Sequence, residues 1–384
     1  MLNGKKILIW APFGSGKHYW GPGISLFNLL EGNPSVFGKN IILAHSYKNQ
    51  EDYPEIFNSV SYIAGLRKDN SVTFLIYLFN SLRFIFINRN KIHSILGLSI
   101  YSYTLLPSVF AGMLGIKSYI KVTSNTYFFK EHAFLKNKYK TIIKSLTNKY
   151  ISGIIVLNSG IADYYKSAGI NPNKIYKIPN GVNISKFKPQ ISQIGEKAVN
   201  NQLWNALYVG GLTYGKGIIE LTESLKYLKD AGLSINLRLV GPDRTAGKIT
   251  KQIEYITKRD KTENMIKLYG HQNNPIDFFQ LSEIFILPTH SEGMSNALLE
   301  AISAGLYCIV TDIDGNSDII KNGINGLFTN GTPQDIADKI AFAINDKKFN
   351  YICTNARKTA INKFNSESIL NSYFNLLINN RFDK

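Results

Sequence analysis

Residues Ser291–Thr311 read SEGMSNALLEAISAGLYCIVT, which is a loop, a helix, a tight turn and a strand in that order. Ser295 stands where an N-cap belongs, because its hydroxyl can accept from a first-turn amide. The helix runs on through Ala304, and Gly305 is the residue type that ends one. Two carboxylates lie inside this unit with seven residues between them. Glu300 is the only charge on its helix and is flanked by Leu298, Leu299, Ala301 and Ile302. Buried there without partners it would be costly, and no basic residue is near it in sequence. A ribose cis-diol offers two hydroxyl donors to such an acceptor-only group. Glu292 precedes the cap, beside the amides of Gly293, Met294, Ser295 and Asn296, where the positive helix end suits a diphosphate.

The same helix–strand alternation extends in both directions. Short apolar runs recur at Ile7–Trp10, Ile41–Ala44, His93–Leu98, Tyr119–Val122 and Ile154–Leu157, then at Ala206–Val209, Ile235–Val240, Ile284–Leu287 and Tyr307–Val310. Longer helical patterns separate them, so the expected class is α/β with parallel sheets. Between the halves, NISKFKPQISQIGEKAVNNQ is polar and aperiodic and reads as a linker. Two doubly wound domains follow, residues 1–185 and 200–365, with ligands expected beyond the carboxyl ends of the strands, facing an interdomain cleft. A C-terminal helix over 366–384 is expected to pack back on the first domain.

The chain has 384 residues, 44% hydrophobic and 18% charged, which excludes a disordered protein. Its formal net charge of +17 predicts an anionic partner. Two cysteines, Cys308 and Cys353, show no metal-ligand spacing; with no signal-peptide pattern at the N-terminus, they point to a cytoplasmic compartment and no metal site. The basic stretch FFKEHAFLKNKYKTIIKSLTNKY interleaves six lysines, Lys130 to Lys149, with aromatics. That combination suits an anionic membrane surface, and the competing reading is a solvated face. FLIYLFNSLRFIFINRNK could add a second patch, but its apolar side is expected to pack on a sheet. No nucleic-acid motif accompanies the charge.

WAPFGSGKH (Trp10–His18) approaches a phosphate-binding P-loop, with His18 where Ser or Thr should hold Mg²⁺. Gly21-Pro22-Gly23 then blocks the helix that a P-loop must enter at once. What remains is a glycine-rich turn in which Gly21 and Gly23 let a ligand approach the backbone. A second candidate phosphate element is YVGGLTYGKGIIELTESL, a strand, a turn through Gly210 and Gly211, and a helix entered at Lys216.

Four segments together resemble the retaining, GT-B glycosyltransferases of family 4, also called group 1. They are LNSGIADYYKSAGINPNKIYKIPNGVNISKFKP, VGGLTYGKG, LYGHQ and SEGMSNALLEAISAGLYCIVTDIDGNSDIIKNGINGLF. The resemblance is dense from Leu157 to Phe328 and thin before that. It implies two Rossmann-like domains and a nucleoside-diphosphate sugar as donor substrate, with no cofactor and no metal. The implied acceptor is a lipid-linked or cell-surface glycan. Glu300 would bind the donor ribose, Glu292 the donor sugar, Lys216 and the Met294–Asn296 amides the diphosphate, and the backbone near His271 the base. Gly21 and Gly23 would face the donor from the first domain. Many members carry Arg where this chain has Gly211, and Arg244 or Lys248 could compensate. Many also carry His where this chain has Ser124 and Asn125. Three readings stay open: a metal-independent transferase peripheral on the inner face of the membrane, a catalytically silent GT-B subunit, and, third, a P-loop ATPase.

Overall fold

The computed structural model describes residues 2, 4–11, 26, 29–30, 41–45, 59–63, 71–123, 137–189 and 203–379. The Lys17-His18 turn, Gly21, Gly23, Ser124, Asn125, Lys130 and Lys136 lie outside these residues, as do the side chains of Lys138 and Lys140. The chain divides into two units, one of Met1–Gly181 with Ser366–Lys384 and one of Val182–Asn365.

In the first unit the strands are β1 (Lys6–Trp10), β2 (Ile41–His45), β3 (Ser59–Tyr62), β4 (Ile92–Gly97), β5 (Lys117–Val122), β6 (Gly153–Val156) and β7 (Ile175–Lys177). They form a parallel sheet in the order β3-β2-β1-β4-β5-β6-β7. Its helices include α1 (Ser71–Asn88), α2 (Ser102–Met113), α3 (Asn137–Tyr150) and α4 (Ser159–Ser167). Strand alternation sends Ile7 and Ile9 to one side of the sheet, with Leu26, Leu29 and Leu370. Leu8 and Trp10 go to the other side, with Tyr77, Ile85 and Ala111. Trp10 Nε1 donates to the Tyr77 hydroxyl at 2.8 Å, and that hydroxyl donates to the Tyr103 carbonyl at 2.9 Å. α1 is thereby pinned by one stripe. Its remaining apolar side does not pack on the sheet as expected: Val72, Leu75, Ile76, Phe79, Phe86 and Ile87 are exposed.

The second unit contains β8 (Trp204–Val209), α5 (Ile218–Asp230), β9 (Ile235–Val240), α6 (Lys248–Asp260), β10 (Ile266–Gly270) and β11 (Ile284–Leu287). It continues with α7 (Asn296–Ser303), β12 (Tyr307–Thr311), β13 (Leu327–Thr329), α8 (Pro333–Asn345) and α9 (Phe349–Phe364). Its parallel sheet runs β10-β9-β8-β11-β12-β13. The strand order reverses between β8 and β11, and the loops after these two strands flank that switch point. The last α-helix described, α10 (Ser366–Phe374), belongs to the first unit.

Pro179-Asn180-Gly181-Val182, within the first of the four resembling segments, lies where the chain leaves the first unit. Lys121 is fully buried and its ammonium donates to Asn180 Oδ1 at 3.3 Å; burial lowers its pKa to about 7. A Cβ on Gly181 would come within 3.0 Å of Ser366 Cα, so the outgoing and returning segments run side by side there. On the second unit's side, Val182 bridges to Asn365.

Candidate active site

Two loops meet at the β8/β11 switch point. The chain leaves β8 through Gly210 and Gly211, makes a 3-10 turn over Tyr214–Lys216 and enters α5 at Gly217. Gly217 adopts a left-handed φ of 67°, and a Cβ there would lie 2.0 Å from the Pro288 carbonyl oxygen. Only glycine allows that approach. The contact is extended by His290 N–H and the Thr289 hydroxyl, which donate to the Gly215 carbonyl at 3.0 and 3.1 Å. Held this way, the Lys216 ammonium forms a hydrogen-bonded ion pair with the Glu292 carboxylate, and both side chains remain partly exposed.

The loop after β12 supports the same region. A Cβ on Gly315 would fall 2.3 Å from the Glu292 carbonyl oxygen and 2.7 Å from that of Gly293, so this position also needs a bare backbone. The Thr311 hydroxyl donates to the Thr289 carbonyl at 2.5 Å, and Asn316 Nδ2 donates to the Thr311 carbonyl at 2.9 Å. Gly293 is partly exposed, whereas Met294 and Ser295 are buried. Ser295 caps α7 as its position predicts, with its Oγ accepting from Leu298 N–H at 3.3 Å, and Asn296 opens the helix.

Glu300 lies one turn into α7, partly exposed at its surface. Desolvation pushes its pKa from 4.5 up to about 8, and the positive charge of Lys186 opposes the rise. Lys186 belongs to a segment tied to this helix: Arg357 donates to the carbonyls of Ile184 and Phe187 and of Ser303, and the Ser303 hydroxyl donates to Phe187. Sequence reading found no cation for Glu300 because Lys186 is distant in the chain, although it falls within the quoted NISKFKP stretch.

Arg244 lies over Gly211. A Cβ on Gly211 would meet Arg244 Nε at 2.9 Å and Cδ at 3.1 Å. The loop carrying Arg244 is clasped by Asp243, whose two carboxylate oxygens accept from the amide and hydroxyl of both Thr245 and Thr250. Those bonds hold the Asp243 carboxyl well below its usual range. Lys248 instead opens α6 and is exposed. A Cβ on Gly241 would lie 1.9 Å from the Gly210 carbonyl oxygen, which brings this loop tight against the β8 exit. Tyr208, which the sequence reading missed, donates to the Gly211 carbonyl at 3.2 Å. Burial, and after it the Glu292 carboxylate, hold the phenol above its ordinary pKa.

His271 stands apart from this group. It follows the edge strand β10, is exposed, and its Nε2 lies 3.2 Å from Asn273 Oδ1. The structure therefore brings Lys216, Glu292 and Tyr208 together, lays Arg244 beside Gly211, and sets Glu300 on the helix that starts just after Glu292. In chemical terms the arrangement presents cations and a helix start to an anion, and carboxylates to hydroxyl donors.

Residues 190–360 match the family described as glycosyl transferases group 1. The capsular polysaccharide biosynthesis glycosyltransferase CapM of Staphylococcus aureus is 31% identical over 206 residues, which is 52% of this chain and 53% of that protein. An Escherichia coli UDP-Gal:alpha-D-GlcNAc-diphosphoundecaprenol alpha-1,3-galactosyltransferase is 29% identical over 226 residues, 56% of this chain and 57% of its own length. The chain thus spans a little over half the length of these two curated relatives. The structure of Anabaena HepE in complex with UDP and glucose superposes with a TM-score of 0.75 at 17% identity, covering 97% of this chain and 99% of that one. Residues 190–360 thus match the group 1 glycosyltransferases in sequence, and the chain as a whole has the GT-B fold.

Proposed function

We propose that the protein is a retaining glycosyltransferase that moves a hexosyl or N-acetylhexosaminyl group from a nucleoside-diphosphate sugar to a lipid-linked glycan. The observation that carries this reading is the Lys216–Glu292 pair at the switch point of the unit that matches group 1. In this reading Lys216, Arg244 and the start of α7 receive the diphosphate, Glu292 receives hydroxyls of the sugar, and Glu300 receives the ribose diol. His271 and its neighbours take the base. A uridine nucleotide is the first choice, because UDP-galactose stands in the name of the Escherichia coli relative and UDP in the HepE complex.

The chemistry follows from charge. As the bond from the anomeric carbon to the diphosphate oxygen breaks, negative charge grows on that oxygen, and preorganised cations beside it lower the barrier. The acceptor hydroxyl attacks the same face, and its proton passes to the departing phosphate. Lys216 and Arg244 supply the neutralisation, so transfer should continue in excess EDTA. Arg244, laid over Gly211, also answers one of the two supports for a catalytically silent subunit, the missing family arginine; the other is the missing family histidine.

The acceptor is assigned to the first unit and the enzyme to the inner membrane surface as a peripheral protein, within capsule, O-antigen or lipopolysaccharide assembly. The names of the relatives and the +17 charge support this placement. No helix among the described residues is long and apolar enough to cross a membrane. The test is incubation of the protein with a panel of nucleotide-sugars and undecaprenyl-diphosphate-linked saccharides, read by mass spectrometry. A gain of one sugar mass on the lipid is expected. Saturable nucleotide-sugar binding without transfer to any acceptor would favour the silent subunit.

A further inference from the structure

α1 has its amphipathicity reversed. Its buried stripe is Tyr77, Ser81 and Ile85, all fully covered, and two of these three carry hydroxyls. The large apolar residues lie on the other side: Val72, Leu75, Phe79 and Ile87 are each more than 60% exposed, and Ile76 and Phe86 about half. At 3.6 residues per turn these six fall within an arc of roughly 120°, opposite the buried stripe. They extend for roughly 22 Å along the helix. Scattered exposed apolar residues need no explanation, but a contiguous row on one helix face marks an interaction surface.

The charges around the row point to the partner. α1 packs on α2, and α2 packs on α3, so the three helices form one layer. Every ionised side chain in these helices is Lys or Arg, and Arg89 and Lys91 follow α1 directly. Arg83 is exposed within the arc of apolar residues. The Arg89 guanidinium lies 4.3 Å from the centre of the exposed Phe86 ring and donates to the Phe86 carbonyl at 2.8 Å. Met113 on α2 and Ile142 on α3 are exposed as well, and exposed Lys149 adds charge. An apolar helix face among cations, in a layer of three helices that contain no acid, matches a bilayer with anionic headgroups. Apolar rings and chains enter the acyl boundary while Lys and Arg stay with the phosphates.

We propose that α1 lies in the plane of an anionic membrane, with Val72, Leu75, Phe79 and Phe86 below the headgroups, and is the docking element of the chain. This rests on the peripheral membrane reading above and names the surface that carries it. Exposed Lys149 on α3 then adds long-range attraction, while α1 supplies insertion.

The test uses the full chain and vesicles of phosphatidylglycerol with phosphatidylcholine, or of phosphatidylcholine alone. Both native thiols, Cys308 and Cys353, are buried, so a Phe79→Cys variant can be labelled selectively with an environment-sensitive dye. Tyr227→Cys, at an exposed position on α5, is the control. Dye at position 79 should shift to the blue with the anionic vesicles and dye at position 227 should not. The triple variant Leu75→Gln, Phe79→Gln, Phe86→Gln should keep the parent's thermal midpoint, because these side chains are exposed. Its partitioning should fall at least tenfold, since burying one such side chain is worth one to two decades. If the parent floats with anionic vesicles but the dye at position 79 does not shift, attachment uses another surface. The α1 proposal then fails and the peripheral reading stands. If the parent does not float, both fail. A parent that dimerises through this row in light scattering, with the triple variant monomeric and no vesicle binding, would overturn the proposal in favour of a second copy.

Discussion

Lys216 and Glu292 form an ion pair that joins the loop after β8 to the loop after β11. Neither loop holds its partner by charge alone. The backbone contact at Gly217 and Pro288, and the bonds to the Gly215 carbonyl, set the distance before the side chains meet. The pair is therefore prearranged at a topological switch point, and in the proposed reading a diphosphate oxygen reaching Lys216 competes with the Glu292 carboxylate.

That competition gives the first prediction. Glu292→Gln should bind UDP several-fold more tightly than the parent, because a neutral amide holds Lys216 less strongly than a carboxylate. The same change should lower kcat by roughly a hundredfold if Glu292 also meets the sugar in the transition state. Calorimetry with UDP and turnover with the nucleotide-sugar separate the two effects. Weaker UDP binding in this variant would mean that the ion pair is only a structural tie.

Gly217 offers a test of the scaffold rather than the charges. Alanine there faces both a left-handed φ of 67° and the Pro288 carbonyl at 2.0 Å. The backbone strain alone costs about 1–3 kcal/mol, and relieving the clash moves the loop that carries Lys216. Gly217→Ala should lower the thermal midpoint and most of the activity together. A variant with parental stability and turnover would show that the loops need not touch.

Glu300 links the site to pH. Its folded pKa of about 8 exceeds the ordinary 4.5, so the folded state holds a proton that the unfolded state releases between these values. Stability from this group is complete below pH 4.5 and declines as pH rises toward 8. Ribose hydroxyls donating to the carboxylate favour the ionised form, so donor affinity should increase from about pH 6 to pH 8. In Glu300→Gln both slopes should vanish, with donor binding at pH 8 weaker by roughly 1–3 kcal/mol. Thermal melts and calorimetry across that range check each slope separately, and a parent whose donor affinity does not change with pH contradicts the ribose assignment.

Most of this architecture was legible in the sequence because central parallel strands are buried on both faces and stand out as apolar runs. Ser59–Tyr62, Ile175–Lys177, Ile266–Gly270 and Leu327–Thr329 did not stand out as apolar runs. They are short strands at the sheet ends, formed by pairing that a local pattern does not encode. Glu292, Glu300 and Lys216 were readable because each sits in a local pattern of cap, apolar helix or glycine turn. Lys186 near Glu300 and Tyr208 beside Glu292 were not, since each depends on the fold bringing distant segments together; Arg244 was readable only as one of two candidates with Lys248, and the fold lays it over Gly211. The face of α1 was misread for a related reason. A helix apolar all round gives no indication of which side the sheet will cover.

In the proposed reading the β8/β11 switch point of the second unit holds a nucleoside-diphosphate sugar. Calorimetric titration of UDP and UDP-sugars into the parent, Lys216→Ala and Glu300→Gln measures it most directly. Saturable binding is predicted for the parent, about tenfold or more weaker in Glu300→Gln. Lys216→Ala should keep much of the binding but lose roughly a hundredfold in turnover, since its contribution grows with the leaving charge. The same affinity in all three proteins, or no binding of any nucleoside-diphosphate sugar to the parent, would contradict the account.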